Sequence, residues 1–206
     1  MPAPEPDLDA ILPLLDPAAF ARPRRNWKAA YPDWAPARDA AIVALCWLVG
    51  LKPLQLGHML RRDWRRGDVA RLPGLGRYAG IRGREMPVLD AAREVVGLYL
   101  KTCPLPMPPG GPLLLRADGT AFGERDVSPF NARLKKVTGG RIPALAHLTG
   151  RFERYVEWSA RQDGTVERLA GRVGPDDDKD PAIGRLRRAL REAHPLGRGL
   201  PGAGKH

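Results

Sequence analysis

Residues 36–64 read PARDAAIVALCWLVGLKPLQLGHMLRRDW, and the bend in this stretch decides how the chain folds. Ala41, Ile42, Leu45, Leu48 and Val49 recur at helical spacing and predict one apolar face. Gly50 ends that helix, because glycine accepts the left-handed conformation a helix C-terminus often requires. Pro53 opens a second helix, where its missing N–H is one the helix would leave unbonded in any case. Leu54, Leu56, Met59 and Leu60 carry the second apolar stripe. Lys52 falls in the tight corner between the two.

This helix–corner–helix stretch resembles the first conserved box of the tyrosine recombinase (phage integrase) family. Arg38, Asp39, Leu45, Gly50, Leu51, Leu56, Leu60 and Asp63 fall on positions of that box. The resemblance implies an α+β fold, mainly α with a small antiparallel β-sheet. It also implies a phosphate-binding arginine at the corner, where this chain has Lys52, and a glutamate three residues on, where it has Gln55.

Length and composition agree with one such domain. The 206 residues are 43% hydrophobic, enough for a core, and 34 Lys+Arg against 23 Asp+Glu give a net charge of +11. The sequence pI is near 10.3. Such an excess favours polyanions, chiefly nucleic acid. No run of 18 apolar residues predicts a membrane span. The acidic, proline-rich start MPAPEPDLDA is unlike a signal peptide. Cys46 and Cys103 read as free thiols of a cytoplasmic protein. No Cys/His cluster has metal-ligand spacing, so neither metal nor cofactor is expected.

Three regions are expected: an N-terminal helix and a basic, aromatic connection over 1–37, a recombinase-catalytic-like domain over 38–194, and a disordered tail over 195–206. Residues 7–15 predict a short helix started by Asp7 or Asp9 and interrupted by Pro13. In the connection, Arg22, Arg24, Arg25 and Lys28 alternate with Trp27, Tyr31 and Trp34. That pattern suits either a nucleic-acid backbone or a loop pinned to the core by its aromatics. Active integrases carry a separate DNA-clamping domain, and nothing here is long enough to be one.

Residues 67–88 predict a small β-unit. Its end, Arg82 to Val88, resembles the family's K-x-R-x-V-P-L strand. The family's catalytic lysine then falls at Ala79, with Arg77 and Arg82 beside it. An arginine there is a poor general acid because it does not release its proton. Residues 89–101 predict a helix. Ser128 with Pro129 reads as the start of another, whose Lys135 and Lys136 fit either phosphate contact or a solvated helix end.

The family's second box falls over Ala144–Tyr155. Anchoring on Leu148 and Phe152 puts Ala146 at the family histidine and Thr149 at its arginine; anchoring on His147 puts Gly150 at the arginine. Either register removes the second phosphate-binding arginine. His147 and Arg151, four apart on one helix face, are the alternative way to reach that phosphate. Val166–Arg172 resembles the third box, with Arg172 in place of its histidine or tryptophan. The nucleophilic tyrosine falls near Pro181, after three consecutive aspartates that repel phosphate. The chain's tyrosines are Tyr31, Tyr78, Tyr99 and Tyr155, so that position holds none. Family chemistry needs a tyrosine hydroxyl to attack phosphorus.

The expectation is therefore a catalytically inactive, double-stranded DNA-binding relative, a regulator or accessory factor of recombination or transcription. Its DNA-binding candidates are Lys52, Arg77, Arg82, Arg84, His147, Arg151, Arg154 and Arg172. Three alternatives stay open. One is an active recombinase with displaced groups, Tyr155 among them. Another is an interaction module that docks on an active recombinase, or on its own kind, through the 181–194 helix (Ile183, Leu186 and Leu190 ringed by arginines). The third is a decayed mobile-element remnant.

Overall fold

The computed structural model describes residues 7–21, 31–65, 69–76, 81, 83–163, 194, 196 and 200, with the side chains of 155–163 not described. Its elements are α1 (Leu8–Ile11), α2 (Ala35–Leu48), β1 (Trp64–Arg65), β2 (Val69–Leu72), β3 (Arg84–Pro87), α3 (Asp90–Thr102), α4 (Glu124–Val137) and α5 (Leu145–Asp163). The mainly helical α+β class expected from the sequence is the one observed.

Helix α2 is the axis of the molecule. Thirteen of its 14 residues are buried, so it is covered all round rather than along one stripe, with Arg38 and Asp39 its only charged members. A helix of that kind belongs inside a core. Helices α3 and α5 pack on it, as do the short N-terminal turns that place Ile11, Leu14 and Phe20 in the same cluster. Asp7 caps α1 by accepting from Ala10 N at 3.3 Å, and Pro13 falls in the 3₁₀ turn that follows. Trp34 is buried against Tyr99, with ring centroids 6.1 Å apart. At that end the aromatic connection is pinned to the core; Arg22, Arg24, Arg25, Trp27 and Lys28 lie outside the described residues.

Gly50 has φ +77 and turns the chain out of α2 as expected. Residues Pro53–His58 then form a 3₁₀ helix, not the α-helix predicted from the leucine spacing. Two local facts oppose an α-helix here. Gly57 falls inside the segment, and glycine is a poor helix former. In addition, a Cβ on Gly57 would meet Gly123 Cα at 2.9 Å, so the segment is held against another backbone. Gln55 fixes the corner from both sides. Its Oε1 accepts from Lys52 N at 2.9 Å, and its Nε2 donates to the Pro73 carbonyl at 2.5 Å. A glutamate could make only the first of these bonds.

The sheet is antiparallel in the order β1-β2-β3, with Arg71 opposite Glu85 and Leu72 opposite Arg84. Helix α4 begins at Glu124, four residues before the Ser128 start expected from sequence, and Pro129 sits inside it. Asp126 supplies the reason: its carboxylate accepts from Gly123 N at 2.9 Å and caps the helix there. Pro129 then forgoes one bond, to the carbonyl of the exposed Arg125, which water can reach. Asn131 of α4 accepts from Leu145 N at 2.9 Å and so caps the start of α5.

Asp39 is fully buried and joins three elements. Arg38 Nη2 donates to it at 2.8 Å and Tyr31 Oη at 2.8 Å, and Arg133 Nη1 of α4 also donates to it. Arg38 reaches the Leu115 carbonyl at 3.2 Å as well. The Arg-Asp pair of the first box is thus a structural tie between α2, α4 and the 113–115 segment. At the far end of α2, Trp47 packs against His194 with the rings tilted and their centroids 5.1 Å apart. Leu196, in the tail expected to be disordered, is buried on the same core, and Leu200 packs against it. Of the helix predicted over 181–194, residues 181–193 lie outside the described residues.

Candidate nucleic-acid interface

The Lys52 corner opens into a cleft of about 430 Å³ between the corner, α4 and α5. Its walls carry Lys52, Pro53 and Leu54 from the corner, Val127 and Asn131 from α4, and Ala146, Thr149, Gly150 and Glu153 from α5. Residues 146, 149, 150 and 153 repeat at helical spacing, so one stripe of α5 faces Lys52.

Leu148 and Phe152 are completely buried. Phe152 lies against Gly50: a Cβ there would stand 2.4 Å from the ring. Thr149, only 3% exposed, donates from its hydroxyl to the Leu51 carbonyl at 2.9 Å. It braces the corner from beneath and presents no charge to the cleft. One turn on, Glu153 does bring charge. Its Oε1 stands 3.6 Å from Lys52 Nζ and 3.9 Å from Arg84 Nη2. Arg84 also donates to the Gly50 carbonyl at 3.4 Å. Partial burial lowers the Arg84 pKa, and the Glu153 carboxylate opposes that shift.

Arg84 lies between this cleft and a second groove of about 500 Å³, whose walls include His58, Arg62, Asp63, Arg71, Arg84 and Glu85. Arg71 pairs with Glu85 across β2 and β3 at 3.1 Å. The cations of the two openings are thus Lys52 and Arg84 beside Glu153, and Arg62 and Arg71 in the second groove, where Asp63 and Glu85 stand among them. Sequence reasoning missed Arg62 and Arg71. The strand register, with Arg71 opposite Glu85 and Arg84 opposite Leu72, puts Arg71 and Arg84 on opposite faces of the sheet, although both line the groove.

His147, Arg151 and Arg154 form a different stripe of α5, rotated roughly 100° from the one facing Lys52. Arg151 Nε donates to His147 Nε2 at 3.0 Å. That bond requires a neutral imidazole. Partial burial, then Arg151 and Arg154, keeps the His147 pKa below its ordinary value. The pair thus meets as the i,i+4 spacing predicts, but beside the cleft rather than in it. Arg154 is exposed, and Lys135 and Lys136 lie at an exposed helix end. Arg77, Ala79, Arg82 and Arg172 lie outside the described residues.

Two of the four tyrosines are committed to structure. Tyr31 donates to Asp39, and burial raises its pKa. The Tyr99 hydroxyl accepts from Leu115 N at 3.1 Å in the core, and burial raises its pKa too. Tyr78 and the side chain of Tyr155 lie outside the described residues. Among the described residues no group of His, Cys, Asp and Glu is placed to hold a metal ion. No described helix is long and apolar enough to cross a membrane.

The chain is 35% identical over 146 residues to a tyrosine recombinase XerC of Methylobacterium nodulans, covering 71% of this chain and 45% of that protein. It is a relative of the tyrosine recombinases. A XerC of Bradyrhizobium diazoefficiens is 32% identical over 117 residues, covering 55% of this recombinase-like chain and 35% of that one. No protein-family model matches. Among solved structures, the XerH site-specific recombinase bound to difH substrate, in its pre-cleavage complex, superposes with a TM-score of 0.53 at 14% identity. That match covers 92% of this chain and 50% of the XerH chain. The fold is thus that of a recombinase, and this recombinase-like chain spans about half the length of the relatives it matches.

Proposed function

We propose that this domain binds double-stranded DNA without cleaving it and acts as an accessory or regulatory relative of tyrosine recombinases. Binding would use Lys52 and Arg84 at the cleft and Arg62 and Arg71 in the groove, with Arg154 beside the cleft and Arg77, Arg82 and Arg172 as further candidates. Support for DNA as the ligand comes from the net charge of +11 on a fold shared with a recombinase–DNA complex.

The single observation that carries the non-cleaving half is Thr149. It occupies the position that the Leu148/Phe152 register gives to the family's second arginine, and it is buried and bonded to the Leu51 carbonyl. Removing one donor from a phosphate-stabilising cage typically costs about 2.7–4 kcal/mol of catalysis. Near Pro181, where the resemblance places the nucleophile, the sequence has no tyrosine to form the covalent intermediate.

The test is to incubate the protein with random genomic duplex fragments, quench with dodecyl sulfate and precipitate protein with potassium. DNA retained before the quench and released by it is the expected result. Detergent-resistant DNA, lost in Tyr155→Phe, would establish the active alternative instead.

A further inference from the structure

Glu153 projects a carboxylate into the cleft where Lys52 and Arg84 meet. The three side chains are similarly accessible, at 38%, 36% and 33%. The ion pairs are long, at 3.6 and 3.9 Å, and partly exposed. Pairs of this kind contribute little to folding. Their effect is local and electrostatic: two cations and one anion leave one net positive charge at this point, where Lys52 and Arg84 alone would give two.

We propose that Glu153 is an internal competitor for the DNA backbone, occupying as a carboxylate the seat that a phosphodiester would take between Lys52 and Arg84. A phosphate entering the cleft must displace the carboxylate from both cations and then tolerate it nearby. The chemistry is matched, since carboxylate and phosphodiester are both singly charged oxygen acceptors for the same donors. Glu153 therefore holds non-specific affinity down, and only DNA that gains enough contacts along the Arg84–Arg71–Arg62 groove displaces it. The inference rests on the DNA-binding reading above and adds to it a residue that regulates the site.

The experiment is equilibrium binding of a fluorescent random-sequence duplex across a salt series to the full chain and to three variants. Glu153→Gln preserves shape and removes the charge. Glu94→Gln makes the same change in net charge on the exposed face of α3, away from the cleft. The third variant adds Lys52→Gln and Arg84→Gln to Glu153→Gln. Glu153→Gln is expected to bind about tenfold tighter at low salt. Its log K against log salt should be steeper by about one to two, as two cations become free to exchange counterions for phosphate. Its melting temperature should match the parent, and Glu94→Gln should bind as the parent does.

The triple variant should lose the gain. An equal gain in Glu94→Gln would reduce the effect to overall charge and overturn the proposal. So would a parent that binds DNA with Glu153→Gln indistinguishable from it, leaving the DNA reading standing. No binding by any of the four would overturn the DNA reading itself, and this inference with it.

Discussion

The Thr149 hydroxyl donates to the Leu51 carbonyl at 2.9 Å, joining residues 98 apart in the chain at the base of the Lys52 corner. Both residues are buried. Thr149→Val keeps the shape and leaves the Leu51 carbonyl without this donor, at an expected cost of about 1–3 kcal/mol. Urea unfolding would register it as a lower midpoint with an unchanged slope. Thr149→Arg loses the same bond and is expected to yield no covalent DNA adduct, because no tyrosine stands near Pro181 to attack phosphorus.

Gly50 is the second support of the same corner. Alanine at φ +77 is strained, and its Cβ would fall 2.4–2.6 Å from two ring carbons of the buried Phe152. Strain and overpacking together predict a loss of about 2–4 kcal/mol. Thermal unfolding should fall by roughly 5–15 °C for a chain of this size. A Gly50→Ala variant that melts with the parent would mean that α5 does not press on the corner.

Asp39 is buried and takes donors from Arg38, Tyr31 and Arg133. Asp39→Asn leaves Arg38 and Arg133 without their shared carboxylate, and breaking a buried pair in this way costs about 3–5 kcal/mol. The expected outcome is a partly unfolded protein at 25 °C, seen as a loss of near-ultraviolet circular dichroism. Replacing the exposed Glu94 in the same way should change nothing measurable by that signal.

Acid should loosen the C-terminal attachment. Burial beside Trp47 pushes the His194 pKa down to about 4, against about 6.5 for an unhindered imidazole. Its Nδ1 accepts from Leu196 N at 3.1 Å, so a proton added there would break that bond. Between these two values the unfolded chain binds the proton and the folded one does not. Stability is therefore complete above about pH 6.5 and falls as pH drops toward 4, by up to about 3 kcal/mol. His147, also held below its ordinary value, contributes in the same direction. Urea midpoints at about pH 7.5 and pH 5 should differ clearly in the parent and less in His194→Phe.

The corner was legible from sequence because its residues have local, stereochemical demands. Gly50 must take a positive φ, and Pro53 must start a new turn. Burial of the whole of α2 was harder to read, since Ala37, Ala40, Ala44 and Cys46 are small enough for any face. The start of α4 was misjudged because two caps competed in the sequence: Gly123 with Asp126 prevailed over Ser128 with Pro129. Asp39 could be placed in the first box, but its partner Arg133 lies 94 residues away and no local pattern connects them. Glu153 was invisible as a cleft residue for a related reason. Its role depends on the face that α5 turns to Lys52, and the burial of Leu148 and Phe152 determines that face.

The central claim is that Lys52, Arg84, Arg71 and Arg62, lining the cleft and the groove, hold duplex DNA. The most direct test is the affinity of the full chain for a random-sequence duplex as a function of salt, in the parent and in Arg62→Gln/Arg71→Gln/Arg84→Gln. The account predicts a straight line of log K against log salt with a slope of about −3 to −5, shallower by about two to three in the triple variant. Absence of binding at about 50 mM salt, or a slope that the triple variant leaves unchanged, would contradict it.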